Sequence, residues 1–428
     1  MRAILFILLL TLCGAEAATM YYVDNTGGND GNAGTSAGAA WKTLAKAQTS
    51  GAGVANYILL KCGETWVATS ATVTAEFTFG ANSMVLSNYG TGALPIIDGQ
   101  NNVRRLVDAD THVETRTVGI QLQNGGDNAS GDTGALWNGK NGTNYIEDCN
   151  LFGHKTDALV AGDVSKVVVR RCVMTRAGDE AFTLHNGATG QVESCTFSNN
   201  FTAMNHAGGV IYSTISDCIF FNNTNSDLDG LEVGVHTFNR CHFKGSVNDC
   251  DFAKGQDGNF LYFNYCIWDA SHAPGVSELA LVIGAGAGTG TTGYVNNCTF
   301  YGGAGQGFIV VNLKGTVFVT NSIFDNWWYA AYIEGAFNVD HSIFHAITIK
   351  ATTSNTSEVS TADPLFVNPS AGDFRLQAGS PAINAGANIG GTTDFAGNPV
   401  SNPPEVGAYE FIVPSSVTPR IIHRRRRF

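Results

Sequence analysis

The chemistry-bearing residues of this 428-residue chain concentrate between positions 155 and 254. Asp179 and Glu180 are adjacent, and His185 follows on the same stretch. Asp157 lies 23 residues before Glu180, and His206 lies 23 before Asp229. Paired carboxylates suit glycosidic bond cleavage: about 5 Å apart they serve a retaining hydrolase, and wider apart they leave room for the water of an inverting one. Asp179, Glu180, Asp227 and Asp229 could supply either spacing. A lyase needs instead a group that neutralises a uronate and a base for the neighbouring proton. Lys155, Arg176, His185, His206 and Lys254 are available for those tasks. The bland alternative is that the acids cap turns and the histidines are solvated.

A second acidic run, Asn225-x-Asp227-x-Asp229-Gly230-x-Glu232, has the ligand alternation of a calcium loop. Its twelfth position is His236, so the bidentate carboxylate such loops use is missing. On a tight turn the oxygens of Asp227, Asp229 and Glu232 could hold Ca²⁺ in another geometry. Trp327, Trp328, Tyr329 and Tyr332 could stack on sugar rings, or pack beside the end of the fold.

The frame that positions these residues is a column of cysteines. Cys149, Cys172, Cys195, Cys218 and Cys241 recur every 23 residues; Cys266 and Cys298 follow at steps of 25 and 32, and Ser322 and Ser342 continue the column. Large apolar residues stand two places after each (Met174, Phe197, Phe220) and three before (Val169, Val192, Ile215). Nine copies of one pattern predict a solenoid, because a single repeat cannot bury its own apolar face. A coil of about 23 residues with three short strands is a parallel β-helix. Its equal offsets stack rung on rung, which sets His206 beside Asp229 and Asp157 beside Glu180. The cysteines point the same way from adjacent rungs, a poor geometry for disulfides, and are expected as stacked free thiols.

Charged residues make up only 14% of the chain, against 51 glycines, which fits short strands and turns. Formal net charge is −12, and 18 basic face 35 acidic residues once the leader and the basic tail are set aside. Such a body is no general nucleic-acid binder, and it repels a polyanionic sugar unless a cation or local basic residues offset the field. Residues 1–18 read as a secretory leader with an apolar run from Ile4 to Leu12, and no later stretch is long enough to span a membrane. A secreted, periplasmic or cell-surface location follows. The expected organisation is a leader (1–18), an N-terminal cap with a short helix around Ala40–Ala47 (19–57), the β-helix (58–361, less regular over 98–145), a closing segment (362–411) and a basic tail (412–428). The insertion at Gly284–Gly293 would wall a groove.

The repeat resembles the right-handed parallel β-helix superfamily of pectate lyases, polygalacturonases and phage tailspikes. The run Gly178-Asp179-Glu180-Ala181-Phe182-Thr183-Leu184-His185 resembles an acid-acid-x-x-x-x-His pattern found on some carbohydrate-active members. Ala362-Asp363-Pro364-Leu365-Phe366-Val367 and Val406-Gly407-Ala408-Tyr409-Glu410-Phe411 are similar to the closing segment of bacterial choice-of-anchor β-helix proteins. These resemblances imply an all-β fold and a polysaccharide partner, cleaved by hydrolysis or β-elimination. A non-catalytic adhesin or spike is the rival reading, and the chain would be a monomer or, like tailspikes, a trimer.

Overall fold

The computed structural model describes residues 18–68, 75–109, 112–126, 134–138, 142–163, 165–230, 233–245, 259–270, 279–283, 290–302, 308–312, 315–327, 329–333, 336–347, 354–357 and 359–413. The chain winds as a parallel β-helix of about 24 residues per turn. Among the described residues, parallel sheets run along it: a first of 14 strands, a second of 12, a third of seven (from Ala75–Thr78 to Ser226–Asp229) and a further one of three (Leu279–Ile283, Phe308–Asn312, Tyr329–Ile333). Across 98–145, where looser rungs with loops are expected, the described residues include rung strands. Ile120 takes the place of the cysteine there, and strands Arg105–Asp108, Arg116–Val118 and Gln121–Gln123 pair in register with their neighbours.

The turn from first to second sheet explains the cysteine column. The residue before each cysteine adopts a left-handed conformation, with φ of 52° at Arg171, 55° at Ser194 and 56° at Asp217. A non-glycine residue is costly there, by about 1–2 kcal/mol. The turn is fixed by hydrogen bonds to the next coil: Arg171 N–H donates to Glu193 O at 3.0 Å and Ser194 N–H to Ser216 O at 3.0 Å. Each thiol then closes the turn. Cys172 N–H donates to Cys195 Sγ at 3.4 Å, and Cys172 Sγ donates back to Arg170 O at 3.3 Å. Serine does the same work farther on, where Cys298 N–H donates to Ser322 Oγ at 3.1 Å and Ser322 N–H to Ser342 Oγ at 3.1 Å. The column is therefore a ladder of turn-closing acceptors as well as a core seam. All described cysteines are free thiols.

Inside, Phe197, Phe220, Phe243, Trp268, Phe300, Phe324 and Phe344 form a continuous ring stack with centroid spacings of 4.4 to 4.9 Å. The second turn holds a buried polar ladder. Ala177 N–H donates to Asn200 Oδ1 at 3.0 Å, and Asn200 N–H to Asn223 Oδ1 at 3.1 Å. His154 occupies the same place two coils before Asn200, its Nδ1 accepting from Gly125 N–H at 3.1 Å. At the N-terminal end the helix spans Leu44–Ser50, a little later than the sequence suggests, because Thr43 caps it by accepting from Lys46 N–H. Trp41 stays outside the helix, stacked 4.6 Å from Tyr21 over the first coil. At the other end, residues 364–411 pack their own apolar cluster (Phe366, Phe374, Val406, Ala408) against Ile267, Ile323 and Ile343. The described residues contain no helix long and apolar enough to cross a membrane.

Candidate functional site

The strands Asp157–Ala161 and Glu180–His185 lie side by side in the third sheet, with Leu159 opposite Phe182. Their inward residues, Leu159, Phe182 and Leu184, are fully buried and fix the register. That register carries Asp157 beside Glu180 at the entry to the sheet. Glu180 N–H donates to Asp157 Oδ1 at 3.2 Å, and Thr183 Oγ1 donates to Asp157 Oδ2 at 3.3 Å. Asp179 completes the group: one carboxylate oxygen from each of Asp157, Asp179 and Glu180 lies within 4.8 Å of the others. Asn205, one coil on, donates from Nδ2 to Glu180 Oε1 at 3.0 Å and orients it.

Three acids at this distance disfavour full ionisation. Burial, then the Glu180 charge, pushes the Asp157 carboxyl up to about 9. Partial burial and the same neighbour push Asp179, at the solvent edge, up to about 6. Among the described residues, the main charges acting on both are those of the neighbouring carboxylates. Ca²⁺ sits 2.3–2.6 Å from its oxygens, so ligands of one ion lie at most about 5 Å apart. The trio meets that limit, and a cation or shared protons would relieve its repulsion. Lys155 and Arg176 are exposed on the turns that lead into the two strands, and the Arg176 guanidinium lies 5.1 Å over the Phe152 ring.

The other sequence candidates disperse. His206 does not stand beside Asp229; Asn205 does, and His206 pairs with Leu184. The cause is a coil one residue shorter between Asn200 and its third strand, so that Glu180 lies opposite Thr202 rather than one residue later. The slip turns His206 inward, where it is 1% exposed and stacks 4.8 Å from His236. His185 sits at the far end of the strand from Glu180, five residue steps or ~16 Å away, so the acid-acid-x-x-x-x-His run does not build one site. Asp227 is 1% exposed and accepts from Asn223 Nδ2 at 2.7 Å as the end of the asparagine ladder. It does not join Asp229 in a three-ligand cluster among the described residues. Trp327 is 3% exposed, packed against Gly302 in the core, and is unavailable to a sugar. Glu232, Lys254 and Trp328, like the leader through residue 17, the insertion over 284–289 and the tail from 414, lie outside the described residues. Asn205 was missed because it acquires its place only through the one-residue slip.

No protein-family model and no curated protein matches the chain. Among solved structures it is similar to pectate lyase Pel9A, at 16% identity over 93% of this chain and 98% of that one, with a TM-score of 0.52. It is also similar to a GH136 lacto-N-biosidase from Eubacterium ramulus, at 10% identity over 80% of this chain and 68% of that one, with a TM-score of 0.46. The first likeness shows the fold, a parallel β-helix along almost the whole length of both chains.

Proposed function

We propose that the protein cleaves an anionic, uronate-bearing polysaccharide of the pectate type by β-elimination, using a divalent cation held by Asp157, Asp179 and Glu180. The observation that carries this reading is the carboxylate trio, three oxygens within 4.8 Å of one another, one of them on the largely buried Asp157. When bound, the cation supplies the positive charge that draws in a uronate and stabilises the negative charge developing beside it. Elimination breaks the C–H bond next to the carboxyl and the bond to the leaving glycosidic oxygen, leaving a carbon–carbon double bond. With His206 buried and His185 at the far end of its strand, Lys155 and Arg176, exposed on the turns that lead into the two strands, are the candidates among the described cations. We assign removal of the proton to Lys155, two residues before Asp157, acting as the neutral amine left once its own proton has gone to solvent. Arg176, braced on Phe152, is assigned to an adjoining uronate carboxylate. The −12 net charge makes a bound cation more useful against a polyanion. The leader and the closing segment support placing the activity outside the cell.

A polysaccharide panel assayed both for unsaturated uronates and for new reducing ends tests this. Expected are both signals on uronate polymers, lost on chelation and in an Asp179→Ala, Glu180→Ala double variant. Reducing ends without unsaturation would assign the same carboxylates to hydrolysis. Neither signal across the panel would favour a glycan-binding rod and overturn the enzymatic reading.

A further inference from the structure

A cavity of about 250 Å³ lies far along the solenoid from the carboxylate trio, between the outer edge of the first sheet and the closing segment. Its floor is Asn239, Asn264 and Asn296, the last residues of three consecutive first-sheet strands. Their amides form a chain across the rungs: Asn264 Nδ2 donates to Asn239 Oδ1 at 3.0 Å, and Asn296 Nδ2 to Asn264 Oδ1 at 3.0 Å. Each internal amide spends one N–H and one lone pair on this chain, so a second N–H and a second lone pair remain for a ligand. The facing wall is the loop Ile389-Gly390-Gly391-Thr392-Thr393. Glycine at 391 is required by the close approach, since a Cβ there would meet Tyr265 Oη at 2.1 Å.

Arg240 is the one charged residue among those lining the cavity, and it is ion-paired with Asp217. Arg240, at one end, gives two hydrogen bonds to Asp217 at 2.7 and 2.8 Å, and a third to Thr393 Oγ1 at 3.4 Å. Two residues back along the same strands, Tyr262 and Tyr294 stack at 4.8 Å, and Tyr294 stacks on Phe318 at 5.3 Å. An aromatic ridge thus runs beside the amide floor on the same face. Paired amide donors and acceptors, threonine hydroxyls, a neutralised arginine and an apolar edge suit a compact ligand rich in hydroxyls. The volume sits near the ~300 Å³ lower end of small-molecule sites, enough for a sugar unit and not for a long chain.

We propose that this cavity is a second saccharide site, selective for an uncharged sugar residue and independent of the carboxylate trio. It does not depend on the cleavage reading: a non-catalytic rod would use it equally. Where the protein does cut a uronate polymer, the site would hold a neutral branch of that polymer.

The test is titration calorimetry of the full chain with neutral hexasaccharides (cello-, xylo-, manno- and galacto-) and with trigalacturonate, in chelator. Saturable binding of at least one neutral sugar is expected, with affinity unchanged in Asp157→Asn and at least tenfold weaker in Asn264→Leu. Because Asn264→Leu removes two ladder hydrogen bonds, Thr393→Ala and Gly390→Trp on the loop wall are measured beside it, with circular dichroism as the folding control. Loss of binding in folded loop variants supports the site. No binding of any neutral sugar, or unchanged affinity in both folded loop variants, overturns it. Neither outcome touches the unsaturated-uronate assay, so the two readings fail separately.

Discussion

The carboxylate trio stores a measurable instability, and Asp157→Asn should release it. Unfolded, Asp157 would titrate near 3.9; folded, burial and Glu180 raise it to about 9. A carboxyl with a raised folded pKa contributes its stability in full below the unfolded value and loses it as pH rises through the folded one. At pH 7 the unfolded chain has lost the proton that the folded chain keeps. The penalty is up to about 4 kcal/mol, from about 3 pH units at 1.4 kcal/mol each. Asparagine preserves the acceptor for Glu180 N–H, removes the titration and offers an N–H to the neighbouring carboxylates. Unfolding entropy near 2.1 cal/mol/K per residue gives about 0.9 kcal/mol/K for a chain of this size, so the variant should melt up to about 4–5 °C above the wild type at pH 7 in chelator. Differential scanning fluorimetry from pH 4 to 9 should show that advantage widening with pH, by about 1.4 kcal/mol per unit. Millimolar Ca²⁺ should close the gap by stabilising the wild type more than the variant. A variant that melts lower than the wild type at pH 7, or whose advantage is flat with pH, would refute a costly Asp157 carboxyl.

The interior histidines predict the opposite pH response. His154 is held down to about 3 by burial, and His206 is held well below its ordinary value by burial and then by His236. Depressed histidines stabilise the fold above ~6.5 and lose that contribution as pH falls, each by about 1.4 kcal/mol per unit. His206→Phe should therefore flatten the acid limb of stability measured by urea midpoints between pH 7 and 5; an unchanged limb would count against a neutral buried His206. Phe220→Ala cuts the ring stack between Phe197 and Phe243 and should cost about 3–5 kcal/mol in chemical unfolding. Ser194→Gly should do the reverse. The exposed Ser194 has φ 55°, and relieving that conformation is expected to stabilise by about 0.5–1 kcal/mol, visible as a higher melting temperature.

The coil was legible because its period lies in residues that must be buried. A cysteine every 23 positions, flanked by apolar residues on a two- and three-residue offset, leaves no other way to hide nine equivalent faces. The same reading took cysteine for a filler. Its turn-closing role appears only when Ser322 and Ser342 are seen making the same bonds. The placement of Asp157 beside Glu180 followed from a step equal to the period, with no gap between them. His206 and Asp229 share that step, yet the turn leading into the His206 strand is one residue short, and in a strand a single-residue slip exchanges the two faces. Spacing counts residues, whereas facing depends on where a missing residue falls. Asn200 and Asn223 read as ordinary polar turns for a related reason, since burial of a turn is a property of the stacked coils and not of any one of them.

The deletion that removes His206 from the surface also supplies the support for Glu180. A coil of full length would put His206 where Asn205 now lies, beside Thr183 and Asp229. The amide there donates a neutral hydrogen bond to Glu180 and leaves its charge available. An imidazolium in that place would pair with the trio and compete with any cation held by it. Inserting one residue between Phe201 and Thr202 should therefore return His206 to the outer face. Ca²⁺-dependent stabilisation of the insertion variant should then be weaker at pH 6 than at pH 8, while the wild type keeps more of its response. Equal Ca²⁺ responses of the two proteins at pH 6 would show that the residue beside Glu180 has no influence on the charge of the trio.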